Sequence, residues 1–210
     1  AALADGAHTF TVRVTGPAGA TATASRSFTV DTSSPTVTIT SGPSGFTADS
    51  TPTFGFTDAF AATRECQVDA GAFASCTSPT TLAALADGAH TFTVRVTGPA
   101  GAQASASRSF TVDTTTPTVT ITAGPVEGST IDLSILTFAF TDTDAVTREC
   151  KVDAASYASC TSPYATPTLA DGPHTFTVRV TGAAGAQASA SRGFIVDTTV
   201  PTVAISSGPA

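Results

Sequence analysis

Four cysteines are the residues best suited to do chemistry. They stand in ECQVDAGAFASC (65–76) and ECKVDAASYASC (149–160), so Cys66 and Cys76 share with Cys150 and Cys160 one ten-residue offset. Zinc takes four ligands, and no His or further Cys lies near either pair in sequence. A C-x-x-C redox motif is absent. Two cysteines in each copy, none left over, flank a hairpin turn predicted at 69–72. That arrangement reads as one disulfide per copy. Closing a loop of eleven residues removes unfolded-state entropy worth about 3 kcal/mol. An oxidising compartment outside the cytoplasm follows.

The other candidates are weaker. His8, His90 and His174 all occupy the same place in LADGxHTF, with no nucleophile beside them that a general base could activate. They read as turn-to-strand residues, and no catalytic set can be assembled. Asp58, Asp142 and Asp144, with Asp31, Asp113 and Asp197 in the Thr/Ser-Pro links, offer oxygens of the kind calcium takes. Asp113, Asp142 and Asp144 are the calcium candidates. Yet Asp144 aligns with Phe60, so that cluster does not repeat, and turn-forming Asp is the favoured reading. No cofactor is expected. Arg13, Arg95 and Arg179, with Arg26, Arg108 and Arg192 on the next strand pattern, read as cross-strand packing along rows of Thr.

Charge narrows the partners. The net charge of -7, with Lys151 the only lysine, offers little to phosphate backbones or anionic lipid. No apolar run reaches the 18 or more residues of a membrane span. Nucleic acid and membrane insertion are therefore set aside.

Self-similarity organises the chain. Residues 1–20 are identical to residues 83–102, and LADGPHTFTVRVTGAAGAQ (169–187) is a third copy. A period above 80 suits a small domain better than a solenoid repeat. The expected division is residues 1–34 as the back half of one repeat, 35–116 and 117–200 as complete repeats, and 201–210 as the first strand of another. The chain reads as a piece of a longer array.

Strand patterns fill each repeat. HTFTVRVT (90–97) places Phe92, Val94 and Val96 on one face and Thr91, Thr93, Arg95 and Thr97 on the other, the period of a sheet with one buried side. SRSFTVD (107–113), TVTIT (118–122), TFGFT (53–57) and ECQVD (65–69) continue it between Gly/Pro/Asp turns. The Ala-rich GAQASASR (101–108) reads as strand edge. Six or seven short strands in about 82 residues predict an all-β fold of tandem antiparallel β-sandwiches.

The order TPTFGFTD…TRECQVDAGAFASCTSP…LADGAHTFTVRVTGPAG…FTVDTTTPTVTIT, present in both complete repeats, resembles the bacterial immunoglobulin-like repeats of large secreted and cell-surface proteins. The resemblance covers the whole chain and implies an immunoglobulin-like sandwich. Such modules serve as stalks, adhesin shafts and enzyme appendages alike. The first expectation is a structural extracellular array, a stalk or filament at the bacterial cell surface, whose partners are neighbouring copies of itself. A second is an adhesin or carbohydrate-binding repeat with an unknown surface ligand. Missing Trp counts against it, and Tyr157 and Tyr164 are its candidate contacts. A third is an accessory region of a secreted enzyme.

Overall fold

A computed structural model describes residues 2–206; the last four residues of the expected 201–210 segment lie outside it. The described residues form strands and turns only. The chain divides into two compact units, Ala1–Val112 and Asp113–Ala210.

The first unit opens with a hairpin, β1 (Gly6–Thr15) and β2 (Thr21–Val30), paired antiparallel. A sandwich follows from β3 (Thr36–Ser41), β4 (Phe46–Thr47), β5 (Thr53–Ala59), β6 (Thr63–Val68), β7 (Ala74–Ser75), β8 (Thr80–Thr81), β9 (Gly88–Thr97) and β10 (Gln103–Val112). One sheet has the order β3-β5-β8 and the other β4-β10-β9-β6-β7. The second unit repeats this with β11 (Thr118–Ala123), β12 (Thr130–Ile131), β13 (Thr137–Thr143), β14 (Thr147–Val152), β15 (Ala158–Ser159), β16 (Tyr164–Ala165), β17 (Gly172–Thr181) and β18 (Gln187–Val196). Its sheets are β11-β13-β16 and β12-β18-β17-β14-β15.

Each sandwich therefore has eight strands where six or seven were expected. The additional strands are two residues long, too short to show a period. The Ala/Ser stretch before Arg108 is full strand, because β9 supplies a ten-residue partner for it. All pairing is antiparallel except the β4–β10 and β12–β18 ladders, which are parallel.

Alternation fixes the core. Phe92, Val94 and Val96 of β9 are buried, and Phe92 stacks on Phe54 of β5 with ring centroids 4.4 Å apart. Phe176 and Phe138 repeat the contact at 4.2 Å. Each ring removed from water contributes about 1.5–3 kcal/mol. Backbone approaches closely there: a Cβ on Gly42 would lie 2.3 Å from the Phe54 ring, and its φ is +115°. Only glycine suits that place.

The β1–β2 hairpin carries the same sequence without a second sheet. Among the described residues β1 and β2 pair only with each other. Phe10 is 64% exposed where its copy Phe92 is 0% exposed. Residues 202–206, TVAIS where β3 begins TVTIT, join no sheet among the described residues, and Val203 and Ile205 are exposed. β3 owes its order to β5, and no described strand plays that part for 202–206.

The two phenylalanines make a controlled comparison within one chain. Phe92→Ala should cost about 3–5 kcal/mol, whereas Phe10→Ala, in identical flanking sequence, should stay within about 0.5 kcal/mol. Urea unfolding of both variants checks this; equal losses would contradict the burial described.

Candidate functional site

The four sequence-predicted cysteines lie on paired segments. Cys66 in β6 stands opposite Ala74 of β7, and Cys76 follows β7 directly. Cys66–Cys76 and Cys150–Cys160 are disulfide-bonded, each with Cα atoms 5.7 Å apart. Both bonds rest against the apolar cores. A shallow groove of about 720 Å³ runs beside the first, lined by Thr63, Arg64, Glu65, Ser75, Cys76 and Thr77. The second unit has a smaller copy of about 460 Å³. With the sulfurs bonded to each other, the groove offers hydroxyls and one member each of the Arg64–Asp58 and Arg95–Glu65 pairs, and no free thiol.

The calcium candidates are engaged singly. Asp142 accepts two hydrogen bonds from Arg148, at 2.6 and 2.7 Å, and Asp58 does the same with Arg64. This pairing raises the already high arginine pKa values through the carboxylate hydrogen bond. Asp113 accepts from the amide and hydroxyl of Thr115, which holds its carboxyl below the usual range. Asp144 sits in the β13–β14 turn with φ +57°, a conformation Asp tolerates. The described residues contain no group of three His, Cys, Asp or Glu placed to hold a metal. Asp31 and Asp197 serve like Asp113: each accepts from the residue two positions on, Ser33 or Thr199.

Sequence reasoning missed a histidine–aspartate contact. Asp69 turns the chain after β6 with φ +52°, accepts the Thr91 amide, and meets His90 Nδ1 at 2.8 Å. His90 Nε2 lies 2.9 Å from the Ala86 carbonyl oxygen. Asp153, Thr175, His174 and Ala170 repeat the arrangement. Both ring nitrogens face oxygen acceptors, so the doubly protonated ring satisfies both. His90 and His174 are raised above 6.5, first by the carboxylate and then by the carbonyl. Asp69 is lowered by the hydrogen bond to its histidine; at Asp153 burial pushes upward, but the bonds from His174 and Thr175 and the histidine's charge together bring it down. With both nitrogens occupied, neither is left to activate a nucleophile. Among the described residues His8 keeps only the carbonyl partner, Ala4.

The arginines split into two kinds. Arg95 faces outward, donates to Glu65 across the β6–β9 pair, and lies 3.9 Å from the centroid of the Phe73 ring. Arg179 repeats this with Glu149 and Tyr157. That is the expected cross-strand packing. Arg108 departs from it. It shares the parity of Phe110 and Val112, is half-buried, and donates to the Ile39 and Gly42 carbonyls of the other sheet. Arg192 does the same with Ile121 and Pro125. The two tyrosines reserved for ligand contact are used internally: Tyr157 lies under Arg179 and Lys151, and Tyr164 stacks on Phe176 at 5.4 Å.

Residues 37–114 match the bacterial Ig-like domain family. Over this segment the chain is similar to bacterial Ig-like domains. The second unit repeats its strand order, disulfide and side-chain contacts. No protein of curated function matches the sequence. Among solved structures, fibronectin(III)-like modules of Clostridium thermocellum CbhA share 18% identity at a TM-score of 0.48, over 77% of this chain and 94% of that one. A tetra-tandem repeat from the extending region of a large adhesion protein shares 20% at 0.35, over 93% and 58%. Drosophila N-cadherin EC1-4 shares 12% at 0.37, over 92% and 58%. Ig-like domains of this kind are typical of extracellular proteins and typically non-catalytic.

Two measurements follow. A reducing agent should cost each Ig-like unit about 2–5 kcal/mol and release no metal; unchanged melting, or a stoichiometric metal, would contradict a stapling role. The His–Asp contacts should stabilise fully only below pH 6.5 and lose that contribution as pH rises through the raised histidine values. At the acid end it is lost as pH falls below 3.8 through the lowered Asp69 and Asp153 values. Melting scans should show the alkaline fall in the native chain and a flatter profile in Asp69→Asn/Asp153→Asn.

Proposed function

We propose that the chain is a length-setting segment of an extracellular bacterial array, acting as a stalk by number and stiffness of its Ig-like units. The observation that carries this reading is where the chain joins and leaves each unit. A Cβ on Gly98, in the turn between β9 and β10, would lie 3.4 Å from Pro35, so the chain arrives at the end where β10 begins. It leaves at Val112, where β10 finishes. Gly182 and Pro117 repeat the geometry in the second unit, which ends at Val196. Arrival and departure are separated by a ten-residue strand, about 34 Å at 3.4 Å per residue.

The departing links are tied down. Thr198 donates from its amide and hydroxyl to Asp171, in the turn before β17, at 2.9 and 2.8 Å. Thr32 does the same to Asp5 in the first unit. A Thr/Ser-Pro link held by carboxylates is stiffer than a Gly/Ser linker. The paired cysteines support an oxidising compartment, outside the cytoplasm. Carbohydrate binding has less behind it, because both tyrosines are half-buried with a neighbouring side chain against the ring.

Small-angle scattering on arrays of increasing repeat number tests the reading. The longest dimension should grow linearly, by about 34 Å per Ig-like unit plus its link. Compact particles whose length does not follow repeat number would overturn it.

A further inference from the structure

We propose that Arg108 and Arg192, together with the parallel ladders beside them, are mechanical clamps that set the force each unit withstands, and that the second unit is the stronger. Tension on the chain is an assumption taken from the stalk reading; the clamp itself is a property of each sandwich.

The load path follows from the topology. Because the chain arrives and leaves at opposite ends of β10, pulling on it draws β3 and β10 apart along their own axes. β3 and β10 belong to different sheets and share no ladder. Two connections join the arriving segment to β10. One is β4, which continues from β3 and pairs parallel with the last two residues of β10, Thr111 against Phe46 and Val112 against Thr47. The Thr111 amide also donates to the Gly45 carbonyl at 2.9 Å. The other is Arg108, whose guanidinium donates to Ile39 at 2.9 Å and to Gly42 at 3.0 Å.

The β4–β10 bonds join strands that lie side by side, evenly spaced and slanted as in any parallel ladder, so sliding β10 past β4 loads them together instead of opening one bond at a time. Arg108 adds two bonds from a single planar group, a geometry lysine does not reproduce. Forced rupture is governed by the unfolding barrier and not by equilibrium stability. Contacts outside the sheared region, even costly ones, should therefore matter less to the rupture force.

The second unit lengthens the sheared region. Its segment between Pro125 and Phe138 is two residues longer than its counterpart between Pro43 and Phe54. The additional length brings Gly128 onto β18, where its amide donates to the Gly193 carbonyl at 2.8 Å. Glu127 accepts the Gly193 amide, with its oxygens 3.1 and 3.2 Å away. Ile195 donates to Ser129, and Arg192 spans to Ile121. Gly193 stands where the first unit has Ser109. A Cβ at 193 would lie 3.1 Å from the Glu127 carboxylate. The longer segment, its carboxylate and the missing side chain fit one another.

Single-molecule pulling on the whole chain tests this, with a Gly/Ser insertion at the exposed turn between Pro99 and Ala100 marking the first unit by its longer released length. The second unit should rupture at the higher force. Arg108→Ala should lower the rupture force of the first unit and leave the second unchanged. Val68→Ala, which weakens the core without touching β3, β4 or β10, should leave the force nearly unaltered while lowering the urea midpoint. Glu127→Ala, a surface change, should bring the second unit down toward the first. Equal forces for the two units, or equal losses from Arg108→Ala and Val68→Ala, would overturn the clamp. If Arg108→Ala fails to fold, the Glu127→Ala result decides. Linear growth of length with repeat number would survive that failure, so the stalk and the clamp fall separately.

Discussion

Two facing phenylalanines hold each unit together. Phe54 and Phe92 come from different sheets and stack at 4.4 Å, and Phe138 and Phe176 do so at 4.2 Å. The rings set the separation of the layers, so Val94, Phe110 and Val112 have a surface to close against. The same contact dictates the backbone beneath it. Gly42 and Gly124 pass so near the rings, at positive φ, that a side chain there would collide with them. Without this layer the disulfide would staple an isolated hairpin and Arg108 would have no second sheet to reach.

Around that core the polar residues act as fasteners. Arg64 with Asp58 and Arg148 with Asp142 join a strand of one sheet to a strand of the other through nearly buried carboxylates. Arg108 and Arg192 supply donors to carbonyls of β3 and β11. Asp69 and His90 fix the turn after β6 to the start of β9. No buried side-chain nitrogen or oxygen lacks a partner among the described residues. A chain poor in charge uses much of it in joints between strands.

Legibility in the sequence followed how local each contact is. The disulfide was readable because both cysteines belong to one hairpin and keep their offset in both copies. The Asp58–Arg64 pair also spans a single turn and recurs as Asp142–Arg148, so the repeated TD…TRE pattern held a signal that went unread. Arg108 was likewise legible: it shares parity with Phe110 and Val112, and an arginine on a core-facing register must find acceptors. The Asp69–His90 contact was not. Its members stand 21 residues apart, and only the pairing of β6 with β9 brings them together. The partners of the other candidates come from different distances along the chain: Asp113 is met by Thr115 two residues on, Asp142 by Arg148 of the next strand, and Tyr157 and Tyr164 by Arg179 and Phe176 of β17.

Residue order alone determined the repeat, the strand periods, the cysteine pairing and the resemblance to bacterial Ig-like repeats, all of which are written within short spans of chain. Tertiary structure decided what those spans become. AALADGAHTFTVRVTGPAGA occurs twice without a single difference. In one copy its phenylalanine is fully buried, and in the other it is largely open to solvent. Alternation makes a strand with an apolar face, but burial belongs to the pair of surfaces that meet. Where the sheet of β3, β5 and β8 supplies the second surface the face becomes a core, and where β1 has only β2 beside it among the described residues the same side chains stay wet.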